Sequence, residues 1–197
     1  PRFASLFRRL KRIAHIHGLD DEFDITLETT HHGPTLSTPT LFIEIGSTEE
    51  HWGREDAANV WADVLSEELG LDSPSSNAQI EQVVMVGIGG GHYAPRHRSV
   101  LLQTNALVGH LLANYSLTMY KPEGIWDPLT DTLPKGPWMH SIDVAIQQTK
   151  ISFPNHKIVA HLDRKSFKGW QRQSIRRYLE SIDIEIFRLA DFVNFET

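Results

Sequence analysis

The chain has 197 residues, 40% hydrophobic and 22% charged, with 13 Gly and 10 Pro, a balance that suits a folded globular protein and excludes disordered or collagen-like classes. It has no Cys, which removes thiolate metal sites, cysteine nucleophiles and redox pairs and fits a reducing compartment, read here as the cytoplasm. Net charge is −6 but unevenly spread, and this polarity implies basic surfaces for a polyanion: residues 1–17 carry five positive charges and no negative ones, 82–122 hold no Asp or Glu, and 157–177 set seven Lys and Arg against Asp163 alone.

Phe3, Leu6, Phe7, Leu10, Ile13 and Ala14 recur at helical spacing before Gly18, which predicts an amphipathic helix over 3–17 with an Arg-rich polar side. The alternation of Phe23, Ile25 and Leu27 predicts a strand ending near Glu28, and Leu41–Gly46 a second. Ser47 with Glu50 resembles a capping box opening a helix that runs to Gly70, divided near Gly53. A Ser/Pro/Asn-rich loop over 72–78 leads to a buried strand at Val83–Ile88. Further strands are expected at 108–112, 157–161 and 184–189, helices at 139–150 and 166–181, and a long Pro-rich loop at 121–137. The alternation predicts a single α/β domain, a mixed central sheet flanked by helices. No apolar run approaches the roughly 20 residues of a membrane span. The first residues, Pro1-Arg2-Phe3 without Met, are those expected of a chain cut from a longer parent.

Four stretches carry candidate chemistry. Gly87-Ile88-Gly89-Gly90-Gly91-His92-Tyr93-Ala94-Pro95 follows the buried strand, where glycine lets backbone N–H groups approach an anion or a developing oxyanion. The dinucleotide fingerprint it superficially satisfies lacks the acid expected about 20 residues on, and no Gly-Lys-Ser/Thr is present to make a P-loop. Glu28-Thr29-Thr30-His31-His32-Gly33-Pro34 sets two imidazoles in a turn, where they could shuttle protons or ligate zinc; without Cys, a zinc site would have to gather Glu28, His31, His32, His92 and His110 from separate loops. Glu44 interrupts an apolar strand, either as a catalytic or ligand carboxylate or as half of an ion pair, and Ser47 reads as a helix cap. In His161–Trp170, Lys168, Arg172 and Arg176 fall at intervals of four, a ridge suited to phosphates, with Trp170 or Tyr93 available for stacking and Phe167 and Trp170 expected in the core.

Taken in order, Glu28–Pro34, Phe42–Glu50, Gly87–Pro95, Gly109-His110, Tyr115-Ser116 and His161–Trp170 resemble the D-aminoacyl-tRNA deacylases of the archaeal and plant type. The resemblance implies hydrolysis of the ester joining a D-amino acid to tRNA and a fold similar to the phosphorylase and peptidyl-tRNA hydrolase group. It also implies zinc, and an N-terminal segment of the parent chain preceding residue 1, so that this sequence is the C-terminal two thirds. His31, His32, His92 and Glu44 are the expected catalytic residues, and Gly89, Gly90, Gly91, Tyr93, Ser47, Lys165, Lys168 and Arg172 the substrate contacts. The partner is the acceptor end of D-aminoacyl-tRNA, with neither membrane nor DNA expected. The alternatives are a hydrolase or phosphorylase of related architecture acting on a nucleoside or peptidyl-tRNA, and a non-catalytic RNA-binding module.

Overall fold

The structure is a computed structural model describing residues 2–30, 38, 40–46, 48–71 and 82–195. It contains two compact units, one from Arg2–Ile25 with Pro34–Ile80 and the other from Thr26–Gly33 with Glu81–Thr197.

The smaller unit pairs α1 (Phe3–Ile16) with α2 (Glu55–Leu69). α1 buries Ala4, Leu6, Phe7, Ile13 and Ala14, the stripe its periodicity predicts. α2 buries Ala57, Val60 and Val64 and stops at Gly70, whose φ of 68° suits glycine. The Arg-rich side of α1 is not an open anion surface. Arg9 bonds Glu67 and Glu68 at 2.7 and 2.9 Å, Arg12 also reaches Glu67, and Arg2 donates to the Glu68 carbonyl oxygen at 2.7 Å, so the acids of α2 answer these cations. The helix expected from Ser47 divides near Gly53, as the sequence suggests: a 3₁₀ turn at Glu49–His51 precedes α2, which starts at Glu55. Ser47 itself, like the loop at 72–78, lies outside the described residues. The strand expected at Leu41–Gly46 does not form. A strand needs a ladder partner, and this run has none among the described residues. Phe42 is 63% exposed and Glu44 is exposed with it, so the carboxylate is not the buried charge the strand would have made it.

The larger unit is the α/β part. β1 (Val84–Ile88), β2 (Leu107–Leu112) and β3 (Ile158–Leu162) form a parallel sheet in the order β2-β1-β3. Its crossovers carry α3 (Pro95–Gln103) and α4 (Trp138–Ser152); α5 (Gly169–Ser181) and α6 (Leu189–Phe195) follow. Val86, Ile88, Ala160 and Leu162 pack with Trp138, Ile142 and Ile146 of α4 and Ile175 and Leu179 of α5 in one core. The strands expected near 23–28 and 184–189 contract to single parallel bridges, Thr30 to Leu112 and Ile186 to Ala160. The first stays short because only the Thr30 N–H reaches β2, at Leu111, while that of Thr29 turns to the His92 carbonyl. The second ends because α6 begins at Leu189. Opposite Met85–Gly87, β2 spends one residue too many, a bulge at Gly109-His110, where any Cβ on Gly109 would collide with Thr149 of α4. α5 opens three residues later than expected, after a 3₁₀ turn at Arg164–Ser166. Among the described residues no helix is long and apolar enough to cross a membrane.

Candidate active site

β1 has one neighbour reached through α3 and the other through α4, so its carboxyl end is the switch point of the sheet, where α/β proteins open a crevice. The glycine stretch begins there. Gly89 and Gly90 have φ of +93° and +89°, conformations that a side chain would strain. Neighbouring loops hold the turn on all sides: Gly89 N–H donates to the Leu112 carbonyl at 2.8 Å, Gly90 N–H to Ser166 Oγ at 2.7 Å, and Asn114 N–H to the Gly90 carbonyl at 3.0 Å. A Cβ on Gly89 would lie 2.5 Å from the Phe167 ring, so the loop after β3 presses directly on the turn.

The next residue carries the most reactive geometry. His92 Nε2 stands 3.1 Å from Glu28 Oε1, and both side chains are part-exposed. A carboxylate accepts, so Nε2 is the protonated nitrogen and Nδ1 of the neutral ring keeps the lone pair. The segment bearing Glu28 is fixed to the turn by backbone as well, since the His92 carbonyl accepts the Thr29 N–H at 2.9 Å. Tyr93 is exposed, with its ring edge-on to that of His92 at 4.7 Å between centroids.

Beneath the turn lies a pair that the sequence reading did not single out. The buried His97 places Nε2 3.0 Å from the Gly89 carbonyl and Nδ1 2.7 Å from Nδ1 of His161. The carbonyl can only accept, so His97 carries its proton on Nε2 and His161 donates from Nδ1. Gly87 was the available signal, because a glycine inside a buried strand marks a close approach, and a Cβ there would sit 2.9 Å from the His97 ring. Burial pushes both histidines down, His161 to about 4 with the neighbouring His97 as second cause. The unfolded chain therefore binds more protons than the native one below the ordinary histidine value. The stability this pair contributes is full above about pH 6.5 and is lost as pH drops towards 4. Urea titrations of the wild type and of His161→Phe check this, and the variant should show the flatter acid limb.

Asp163, 5% exposed, closes the site's floor: its Oδ1 accepts Arg96 Nε at 2.8 Å and Lys165 N–H at 3.0 Å, and its N–H donates to the Ile88 carbonyl at 2.9 Å. The structure thus brings together Glu28, His92, Tyr93 and Gly89–Gly91. Two further candidates, His110 and Arg172, have partners of their own. His110 pairs with Thr149 Oγ1 at 3.1 Å on the α4 side of the bulge, and burial lowers its basicity. Nη1 of Arg172 donates to the Phe167 and Arg164 carbonyls, at 2.8 and 3.2 Å, which steadies the start of α5. Lys165 and Lys168 are exposed, Phe167 is buried as expected, and Trp170 is only half-buried. Glu44 belongs to the other unit. His31, His32 and Ser47 lie outside the described residues. Among the described residues no three His, Asp or Glu side chains could hold a metal ion, so the zinc donor set is not assembled from Glu28, His92 and His110.

The family model for D-aminoacyl-tRNA deacylase matches residues 1–187. The chain belongs to the D-aminoacyl-tRNA deacylase family. A D-aminoacyl-tRNA deacylase of Arabidopsis thaliana is 46% identical over 97% of this chain and 62% of its own length; one of Methanosarcina barkeri is 35% identical over 95% of this chain and 50% of its own. The chain therefore spans half to three fifths of the length of these relatives. Among solved structures, that of the conserved protein of unknown function AF0625 matches with a TM-score of 0.66 and 26% identity, over 95% of this chain and 57% of that one.

Proposed function

We propose that this deacylase-family chain hydrolyses the ester of D-aminoacyl-tRNA, releasing free D-amino acid and tRNA. The observation that carries the reading is His92, set on the glycine turn at the switch point and oriented by Glu28 at 3.1 Å. Glu28 holds the Nε2 proton, and Nδ1 takes a proton from the attacking water. Proton transfer of this kind suits an ester, whose leaving ribose oxygen needs a proton back. The exposed Arg164, Lys165 and Lys168 after β3 suit the phosphates of the acceptor end, and Asp163, the one acid of 157–177, is engaged by Arg96. Stereochemical choice comes from exclusion, as backbone lying close to the substrate α-carbon rejects the L side chain by clash.

The zinc that the resemblance implies would need His31 or His32 beside Glu28 or His92. The described donors do not fit an ion by themselves, and every step above is carried by the chain's own groups. A reducing compartment such as the cytoplasm fits the absence of Cys.

The decisive assay follows ester loss from D- and L-tyrosyl-tRNA with and without chelator. We expect release of D-tyrosine with the L ester spared. Equal cleavage of both isomers would defeat the stereospecific reading, and cleavage only of an N-blocked ester or a nucleoside would favour the related hydrolase or phosphorylase chemistry. Loss of activity on chelation, restored by zinc, would place the metal; indifference with no bound zinc would remove it.

A further inference from the structure

The glycine turn is expected to offer the Gly90 and Gly91 amides to an oxyanion, but the Gly90 N–H is already committed, 2.7 Å from Ser166 Oγ. That commitment changes which groups can donate. A serine hydroxyl that accepts a hydrogen bond keeps its own hydrogen to give, and that hydrogen can turn to a second acceptor. Ser166 is only part-buried, and among the described residues nothing accepts its hydroxyl hydrogen. One residue further along the turn, Gly91 is exposed, its N–H meets no acceptor among the described residues, and a Cβ built on it would touch nothing within 4 Å. The turn therefore carries two unspent donors, the Ser166 hydroxyl bonded at Gly90 and the N–H of the next residue, Gly91.

Ser166 is also held as a preorganised donor must be. It ends the 3₁₀ turn Arg164–Ser166, its N–H donates to the Asp163 carbonyl at 3.2 Å, and the Asp163 side chain caps the same turn through Lys165 N–H at 3.0 Å. Phe167, the next residue, fills the space that the missing Cβ of Gly89 leaves. The position of the oxygen is thereby held before charge develops, the condition under which such donors lower a barrier most.

We infer that Ser166 is a catalytic residue whose hydroxyl, with the Gly91 N–H, forms the oxyanion hole; this deepens the ester-hydrolysis reading above and rests on it. Water oxygen bonds to the ester carbonyl carbon while its proton passes to His92, and the carbonyl π pair moves onto oxygen, where the Ser166 O–H and Gly91 N–H meet the new negative charge. Collapse restores the C=O bond and breaks the bond to the ribose oxygen, which takes the proton from His92. The products are the free amino acid and tRNA with its hydroxyl.

The test is single-turnover and steady-state hydrolysis of D-tyrosyl-tRNA by the purified wild type, Ser166→Ala, Ser166→Thr and Ser166→Cys, with folding followed by circular dichroism. Removing one oxyanion donor costs about 100-fold in kcat. Ser166→Ala should therefore fall about 100-fold in kcat with KM within twofold, Ser166→Thr should recover to within about tenfold of wild type by keeping the hydroxyl, and Ser166→Cys, a weak donor, should stay at least tenfold down. A hydroxyl that merely propped the turn would instead raise KM or lower thermal stability and leave kcat alone. A wild type that cleaves while folded Ser166→Ala, or Ser166→Cys if the alanine variant does not fold, retains kcat within threefold would overturn the assignment alone. A wild type that cleaves no aminoacyl ester overturns the reading and the assignment together.

Discussion

Replacing His92 by alanine lowers kcat for D-tyrosyl-tRNA about 100-fold, the lower end of what positioned proton transfer contributes, with KM changed less than threefold. The size follows from chemistry and from place. His92 is an imidazole on the rigid turn at the end of β1, its tautomer set by the Glu28 carboxylate 3.1 Å away and its backbone tied to Thr29. The lower end applies because the ribose hydroxyl beside the ester offers a second route for the proton. Glu28→Gln keeps the shape but lets the side-chain amide turn its NH₂ towards the ring, which favours the wrong tautomer, and should cost about tenfold. Kinetics on the two variants and on wild type settle the ordering; an unchanged kcat for His92→Ala would remove His92 from the chemistry.

The largest structural loss is expected at Gly89. Alanine there must accept a φ of +93° and a Cβ 2.5 Å from the Phe167 ring and 3.3 Å from the Asp163 carbonyl oxygen. Backbone strain of about 1–3 kcal/mol and overpacking of about 1–3 kcal/mol both oppose it, so a loss of about 3 kcal/mol and a Tm lower by about 10 °C are expected. Gly91→Ala is the control: its Cβ meets nothing within 4 Å, so its thermal stability should stay within about 1 kcal/mol of wild type. Thermal denaturation of the two variants side by side measures the difference, and equal Tm values would show that the turn is not pressed by the loop after β3.

Local pattern reveals one part of this molecule and long-range partnership the other. The helices at 3–16, 55–69 and 138–152 announce themselves by periodicity, and the buried β1 by its continuous apolar run. Leu41–Gly46 reads equally well as a strand, yet strandhood is a property of a pair, and apolar alternation cannot say whether a partner is present. α3 was signalled only by Pro95, since its Arg- and His-rich stretch has a weak stripe; it buries His97, Val100 and Leu101. At the site, glycine spacing and the histidine next to it are visible in sequence. The Glu28–His92 pair spans 64 positions and the Gly90–Ser166 bond 76, and only the sheet brings such residues together. Four-residue spacing places Lys168 and Arg172 on one face, but it cannot show that Nη1 of Arg172 donates to carbonyls before α5.

That Glu28 and His92 work as one unit is most directly measured by a double-mutant cycle on kcat with D-tyrosyl-tRNA, using Glu28→Gln, His92→Ala and the pair. Residues acting through one another are non-additive, so the double variant should be no slower than His92→Ala alone, about 100-fold down. A double variant slowed by the product of the two single effects, near 1,000-fold, would mean that the carboxylate and the imidazole act independently, and would contradict a shared site at the glycine turn.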